Sequence, residues 1–391
     1  MTTVAIVGKG TSAIVSAMMC LKYGFDVEIY SDPDAPHLNV GESTTPHLAR
    51  LILDVFDIHI GQLLDKDIVS FKNGIKFINW GVGEDFRHHF QSNLSAFHFE
   101  TGIFNPFMHK LLKDNGVIYH EVKVDEYKVI DRKVYLNDRY YDFIISCVGW
   151  DNSDEYYEPL FETVNTGILY KEDEINDPSY TLHRATEHGW QFGLPFPYSN
   201  VTKCGYLFNS KIDDPKTVYD ELKKEDVRVI EWKPRYSKRL LQDRYHGFNG
   251  NRLFFLEPLQ ALSVYYYIEF AKQICEYLSD VKYENFELSN KIYLNSMFEY
   301  QISLAWHYSY GSIFDSEYWV NVKENANQVL NLNHNYSHET LLRKYAHDSK
   351  YRSRDFLHVG PFSYIDFRDI HGGMTATKLS DVTESIYGFE K

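Results

Sequence analysis

The sequence predicts an α/β protein in which a parallel sheet is interrupted by an inserted antiparallel sheet and followed by a helical C-terminal region. Residues 4–7 are a continuous apolar run that enters a glycine turn and an apolar helix, and residues 143–148 are a second such run before Gly149. Runs of this kind are typical of strands buried on both faces of a parallel sheet. From residue 151 to 244 the pattern changes to alternating strands separated by turn residues, which favours an antiparallel sheet.

The turn after the first strand has the pattern GxGxxA. Gly8 permits a tight turn, Gly10 lets the backbone approach a pyrophosphate, and Ala13 is small enough for close packing of helix on strand. The N–H groups at Thr11 and Ser12 and the positive end of the helix dipole favour a phosphate at this position. Because a strand precedes the pattern and an amphipathic helix follows it, we interpret it as a dinucleotide-binding turn rather than an ordinary strand-to-helix turn.

The next two segments supply further polar candidates. Residues 26–32 predict a second strand, and in dinucleotide folds the end of this strand carries a ribose-binding residue, so Ser31 or Asp32 is a candidate. A hydroxyl-rich turn then leads into an apolar helix, for which we expect Ser43 or Thr44 as the N-cap. A plain capped helix is the alternative to a functional turn at this point.

An unusual lysine lies in the next strand. Residues 68–81 predict an aromatic strand that is interrupted by Gly74, and residues 85–90 predict a polar, aromatic loop. Lys72 stands among apolar and aromatic residues of this strand. Taken alone, a lysine at a strand end is usually a solvated charge, so a functional role for Lys72 needs further support.

Several later elements are predicted with less detail. Residues 117–136 predict short strands that include Val122 and Val124, and residues 213–224 predict a charged surface helix. Residues 253–256 predict an apolar strand with which the nucleotide-binding domain resumes, and Pro258 lies near the start of the helix that follows.

Composition limits the function classes. The chain has 391 residues and a formal net charge of −15, which argues against nucleic acid as a partner and, more weakly, against an anionic membrane. No apolar stretch is long enough to span a bilayer and no signal segment precedes the first strand, so we expect a cytoplasmic protein. The four cysteines lack CxxC spacing, as expected of reduced thiols. The HxxxH pair His334 and His338 lies in a turn-like stretch, so we expect no metal site.

Together these motifs resemble the flavin-dependent tryptophan halogenases, especially the short members of phage and marine genomes. The resemblance extends from residue 4 to about residue 322 and rests on the glycine turn and on residues 41–46, 71–80, 88–90, 97–100 and 257–259. It implies a FAD-binding Rossmann-like domain of the GR2 type at residues 1–150 and 245–290, an inserted β-rich region at 151–244 and a helical region at 291–391. The resemblance to phage members adds one alternative for the location, namely that the protein is encoded by a phage and lies in the cytoplasm of the host.

The resemblance also implies a chemistry and a set of site residues. In this family, FADH2 from a separate flavin reductase, O2 and a halide ion give hypohalous acid, which a lysine holds over an aromatic substrate. Lys72 matches that lysine, and it could act as an ammonium that polarises the acid or as an amine that forms a haloamine. His88, Phe90, Trp190 and Phe192 match substrate positions, with ordinary core packing as the alternative for Trp190. The implied FAD contacts are Gly8, Gly10, Thr11, Ser12, Ala13, Ser31, Gly41, Glu42, Ser43, Val124, Gly149 and Val264.

The chain departs from the family at one catalytic position. The glutamate expected after Pro-Leu is Gln260, and a neutral amide can form hydrogen bonds but cannot serve as a base. The halide positions hold Leu262 and Ser263, where backbone N–H groups can still bind an anion. We predict a halogenase for a small indole-like or phenol-like substrate. The alternatives are a flavin-dependent monooxygenase or oxidase, a non-halogenating FAD-binding homologue and a binding protein that has lost flavin. The oligomeric state stays open, with a homodimer as one alternative.

Overall fold

The structure is a computed structural model that describes residues 2–35, 40–82, 85–90, 95–149, 154–332 and 359–376. Its contacts divide the chain into two units. The first contains Met1–Phe71, Leu94–Pro159 and Arg235–Asn295, and the second contains Lys72–Asn93, Leu160–Pro234 and Ser296–Lys391. The three-part division made from the sequence stays a prediction of domain boundaries.

The described strands all lie before residue 256, and helices dominate the described chain after it. The strands are β1 (Thr3–Val7), β2 (Asp26–Ser31), β3 (Gly41–Ser43), β4 (Ser70–Lys72), β5 (Gly74–Ile78), β6 (Phe86–His89), β7 (Ala96–Glu100), β8 (Ile118–Glu121), β9 (Lys128–Ile130), β10 (Lys133–Leu136), β11 (Arg139–Tyr141), β12 (Phe143–Ser146), β13 (Tyr157–Pro159), β14 (Thr166–Glu172), β15 (Tyr180–Thr186), β16 (Gly189–Phe196), β17 (Val201–Phe208), β18 (Arg228–Glu231), β19 (Arg235–Ser237), β20 (Leu241–Asp243), β21 (His246–Phe248) and β22 (Phe254–Phe255). The helices are α1 (Thr11–Lys22), α2 (Pro46–Phe56), α3 (Ile60–Leu64), α4 (Thr101–Asp114), α5 (Pro215–Leu222), α6 (Leu262–Ser279), α7 (Tyr283–Ser309), α8 (Glu317–Asn331) and α9 (Tyr364–Thr375).

The main sheet of the first unit has six strands in the order β20-β21-β12-β1-β2-β8. Strand β1 is parallel to β2 and β12, and only the edge strand β20 pairs in the antiparallel sense among the described strands of this sheet. Val4, Ala5 and Ile6 are fully buried at its centre, as their continuous apolar run predicts. The α/β class is therefore confirmed, and α1 and α6 pack on one another where the sulfurs of Cys20 and Cys275 lie 3.7 Å apart.

The main sheet of the second unit has seven strands in the order β18-β14-β17-β16-β15-β5-β6. All of its pairings are antiparallel except that of β15 with β5. Two of its strands, β5 and β6, come from outside the inserted region predicted at residues 151–244. The prediction of a loop at residues 85–90 is wrong, because Ile75 pairs with His88 and draws this polar segment into the sheet. Arg87 and His89 face outward and His88 faces inward, so β6 follows the alternation of a strand.

Two local predictions also need correction. The N-cap of α2 is Thr45, because Pro46 takes the first helical position and Ser43 remains in β3. Val122 and Val124 lie outside the strands, since β8 ends at Glu121. The apolar strand predicted at residues 253–256 is present as β22, which lies in the first unit and pairs with β19 in a three-stranded sheet.

The start of α6 differs from the prediction as well. Pro258 precedes a short 3-10 turn, Leu259–Ala261, and α6 begins only after that turn. The predicted helical C-terminal region is present as α7, α8 and α9. Within the described ranges, every helix is too short or too polar to cross a bilayer.

Candidate functional site

The glycine turn of the first unit contains Gly8 and Gly10, and the structural reason for glycine differs between the two positions. Gly8 has φ of +129°, and a Cβ atom there would lie 2.6 Å from the carbonyl oxygen of Cys147. Gly10 is the N-cap of α1 with φ of −80°, and a Cβ atom there would meet none of the described atoms within 4 Å. The fold thus requires glycine at position 8, whereas at position 10 glycine leaves open space in front of a helix N-terminus. That arrangement fits the pyrophosphate of a dinucleotide.

Strand β3 brings an acidic residue to the same helix end. The Thr11 hydroxyl donates a hydrogen bond to Glu42 Oε1 over 2.8 Å. Burial raises the pKa of Glu42 to about 7, although the hydrogen bond from Thr11 opposes the shift. A carboxyl group with a pKa of about 7 is partly protonated at neutral pH, so it does not place a full negative charge where phosphates are expected. The structure therefore places Glu42 beside the start of α1, and the contacts of Gly41, Glu42 and Ser43 with FAD stay a prediction.

The remaining predicted FAD residues lie in the same unit. Ser31 ends β2 and is 3% exposed, and Gly149 follows β12 with φ of +85°. Ala13 and Val264 are buried in α1 and α6, while Val124 packs against the apolar cluster around Tyr30 and Tyr141. The contacts of these five residues with FAD stay a prediction.

The turn before α6 has an unusual backbone. Gln260 and Ala261 have φ of +64° and +57°, in the left-handed region that costs non-glycine residues about 1 kcal/mol or more each. Gln260 is buried, and Ala261 at the N-cap has no side-chain oxygen to accept from the first turn. The backbone N–H groups of Leu262 and Ser263 therefore start α6 at a helix end that suits an anion. The side chain of Leu262 is itself buried, so only its backbone could take part.

In the second unit, Lys72 is the first residue and ends β4. Its side chain is fully buried, which excludes the solvated charge that a lone strand-end lysine would suggest. The N–H of Phe90 donates to the carbonyl oxygen of Asn73 over 3.1 Å and so holds the chain after β6 beside the residue that follows Lys72. As a result Lys72 Nζ lies 4.9 Å from the centre of the Phe90 ring. Burial lowers the pKa of Lys72 well below its usual value.

Three buried histidines interact electrostatically in the second unit, and the charge of Lys72 acts on one of them, His183. His88, His183 and His307 are each 2% exposed or less. Burial first, and then the charges of Lys72, His307 and His88, lower the pKa of His183 well below its usual value. Burial lowers the pKa of His307 to about 4, although its Nδ1–H donates to the carbonyl oxygen of Ser303.

His88 differs from the other two because it has an acidic partner. His88 Nε2 lies 2.9 Å from Asp366 Oδ1 on α9. Burial raises the pKa of Asp366, but hydrogen bonds from His88 and Ser363 outweigh it and the pKa stays below its usual value. Sequence reasoning missed His183, His307 and Asp366, since each is an isolated polar residue in its own element and only the packing brings them together.

The two predicted substrate residues of β16 lie in different surroundings. Trp190 is fully buried, its Nε1–H donates to the Tyr308 hydroxyl over 2.8 Å, and its ring packs against Trp80 and His183. This geometry is what ordinary core packing requires, and a substrate role for Trp190 stays a prediction. Phe192 is partly buried and lies over Gly205, where a Cβ atom would be 2.3 Å from its ring.

A metal site needs several ligating side chains that point at one position. In the part of the chain that the structure describes, no three histidine, cysteine or acidic side chains converge in this way. His334 and His338 lie outside the described residues.

Comparison with known proteins gives a sequence match and a wider likeness in fold. Residues 3–95 match the family model described as tryptophan halogenase. The tryptophan 7-halogenase RebH of Lentzea aerocolonigenes is 35% identical over 80 residues, which are 20% of this chain and 15% of that protein's length. BrvH, a flavin-dependent halogenase from Brevundimonas sp. BAL3, is similar in structure with a TM-score of 0.78 and 16% identity over 99% of this chain and 95% of its own. A tryptophan halogenase from Shewanella frigidimarina NCIMB 400 gives 0.79 and 16% over 99% and 94%.

Proposed function

We propose that the chain is a member of the tryptophan halogenase family and a flavin-dependent halogenase that halogenates a small indole-like or phenol-like aromatic, because residues 3–95 match the family model and the fold is similar to that of flavin-dependent halogenases. FADH2, delivered by a separate flavin reductase, would supply with O2 the oxidising equivalents that convert halide into hypohalous acid. The matched segment covers only 15% of the length of RebH, so activity, substrate and reductase partner all belong to this proposal.

One observation carries the proposal. Lys72 is completely buried, and its Nζ atom lies against the Phe90 ring beside a set of buried histidines. Burying an amine costs free energy, and such a cost is usually retained only where the amine has a function. Because burial lowers its pKa, the amine is held towards the neutral form, which is the nucleophile that can take halogen from hypohalous acid.

The first unit supports the cofactor part of the proposal. The open space at Gly10, the N–H groups at the start of α1 and the protonatable Glu42 together fit the diphosphate of FAD. The N-terminus of α6 at Leu262 and Ser263 fits a halide held by backbone N–H groups. Gln260 supports a second candidate, because an enzyme without the family carboxylate could be a flavin-dependent monooxygenase or oxidase.

A substrate screen tests the proposal. The protein is supplied with FAD, a generic flavin reductase, and chloride, bromide or iodide, and a panel of indoles and phenols is analysed by mass spectrometry. We expect halogenated product from the wild type and a loss of about 10²-fold or more in Lys72→Met, with flavin binding unchanged. Lys76→Met is the matched control, since Lys76 is partly exposed on β5 and pairs with Asp85.

Two results would contradict this assignment. Equal halogenation by Lys72→Met would mean that hypohalous acid reacts outside the protein. Hydroxylated rather than halogenated products would favour the monooxygenase.

A further inference from the structure

The second unit contains its own carboxylate–imidazole pair close to Lys72. We propose that His88, held by Asp366, is the base that removes the ring proton during halogenation, in the role for which Gln260 has no carboxylate. This inference rests on the proposed function. His88 would be a catalytic residue, and Asp366 would be a positioning residue that acts through it.

The geometry fixes which nitrogen of His88 accepts the proton. Asp366 Oδ1 lies 2.9 Å from His88 Nε2, and an ionised carboxylate can only accept a hydrogen bond. Nε2 therefore carries the hydrogen of the neutral ring, and Nδ1 carries the lone pair. The His88 ring packs edge-on to Phe90 with ring centres 6.1 Å apart, and Lys72 Nζ lies 4.9 Å from the same Phe90 ring. The amine that would deliver halogen and the imidazole that would take the proton therefore both lie next to the Phe90 ring.

The other two histidines have different surroundings. A base becomes positively charged when it takes the proton, so it needs a negative partner in a buried site. Among the described residues, His183 Nδ1 is buried without a hydrogen-bond partner. His307 uses its Nδ1–H on the Ser303 carbonyl. His88 has such a partner in Asp366, whose carboxylate can stabilise the imidazolium.

The step balances without a further reactant. Halogen is transferred as X⁺ from hypohalous acid, or from its protonated haloamine with Lys72, to a ring carbon, and a C–X bond forms as the O–X or N–X bond breaks. The electron pair of the broken bond stays on the oxygen, which leaves as hydroxide, or on the nitrogen, which returns to the neutral Lys72 amine. The C–H bond at that carbon then breaks, its electron pair restores the aromatic ring, and the proton passes to His88 Nδ1. Asp366 remains ionised throughout and stabilises the positive charge on His88.

Asp366 also has a structural role, which the test must separate. Its Oδ2 accepts from the backbone N–H and the hydroxyl of Ser363, both over 2.7 Å, and so caps α9. Its other oxygen, Oδ1, accepts the hydrogen bond from His88 Nε2. Asp369 on the same helix pairs with Arg368, so Asp369→Ala is a matched control for Asp366→Ala.

The first test needs neither flavin nor substrate. Two-bond proton–nitrogen NMR of protein labelled with ¹⁵N-histidine reports the tautomer of each neutral ring, and His88→Gln identifies the His88 signals. We expect the Nε2–H tautomer at His88 in the wild type and in Asp369→Ala, and a mixture of tautomers in Asp366→Ala. An Nδ1–H tautomer in the wild type would overturn the inference whatever the enzyme does, and it would still do so if Asp366→Ala failed to fold.

The second test uses an aromatic that the wild type halogenates in the screen, in its ordinary and ring-deuterated forms. We expect no isotope effect on kcat in the wild type, where proton removal is fast. In His88→Gln we expect kcat to fall about 10²-fold, with a normal primary isotope effect. Asp366→Ala should show the same isotope effect with a smaller loss, and Asp369→Ala should show neither.

Failure of the inference about His88 and failure of the proposed halogenase function give different results. A fall in kcat without an isotope effect in His88→Gln would mean that His88 only shapes the site, which overturns the inference and leaves the halogenase intact. Absence of any halogenated product from the wild type would overturn the proposed function itself.

Discussion

At the scale of single residues, the two glycines of the nucleotide turn answer different needs. Gly8 adopts a backbone conformation reserved for glycine and is in close contact with the Cys147 carbonyl, whereas Gly10 has an ordinary φ and open space. A sequence motif shows both as glycine without distinguishing them. In the structure the fold itself requires glycine at position 8, whereas the open space at Gly10 suits a bound ligand.

This difference predicts opposite outcomes for two alanine variants. Gly10→Ala should bind FAD at least about tenfold more weakly, because its methyl group occupies the pyrophosphate space, while stability changes by no more than about 1 kcal/mol. Gly8→Ala should lose about 3 kcal/mol of stability. FAD fluorescence quenching and urea unfolding measure the two effects. Unchanged FAD affinity in Gly10→Ala would remove the turn from the cofactor site.

At the scale of elements, the approach of β6 to β5 places His88 and Phe90. Gly74 begins β5, and a Cβ atom there would lie 2.1 Å from the carbonyl oxygen of His88. The sequence suggests that Gly74 interrupts a strand. In the structure Asn73 separates β4 from β5, and Gly74 lets β5 and β6 approach closely, as glycine in a strand often does.

We therefore expect Gly74→Ala to damage stability and the site together. The backbone at His88 cannot move away without breaking the β5–β6 ladder, so the free energy of unfolding should fall by about 3 kcal/mol. Halogenation activity should be lost as well, because the same strand pairing holds His88 and Phe90 in place. Gly193→Ala in the same sheet is the control, because its Cβ atom would meet only side-chain atoms, the nearest 3.2 Å away on Thr202. Urea unfolding of both variants checks the difference, and equal stabilities would contradict the close-contact explanation.

At the scale of the whole molecule, Glu42 makes overall stability depend on pH. Its pKa is about 7 in the folded chain and about 4.5 in the unfolded chain. The folded state thus binds a proton that the unfolded state has released, so the contribution of Glu42 to stability is full below about pH 4.5 and is lost as pH rises to about 7. The total effect is at most about 3 kcal/mol.

Glu42→Gln should remove this dependence. Its stability relative to the wild type should rise between about pH 4.5 and pH 7 and then stay level, as measured by urea unfolding of the flavin-free protein. Thr11→Val should extend the loss of stability to higher pH, because it removes the hydrogen bond that opposes the rise in the Glu42 pKa, and Thr11→Ser should preserve the wild-type trend. A constant difference between Glu42→Gln and the wild type across this range would show that Glu42 titrates normally.

The sequence by itself determined the parallel sheet and the glycine turn, and it singled out Lys72, since apolar runs and local motifs depend only on neighbours along the chain. Only the tertiary structure decided that β5 and β6 join the second sheet, that Lys72 is completely buried, and that His88 pairs with Asp366 and interacts with His183 and His307. These facts depend on pairings between residues up to 278 positions apart, such as His88 with Asp366. Side chains so distant along the chain leave no local pattern, because their contacts exist only once the sheet and helices have packed.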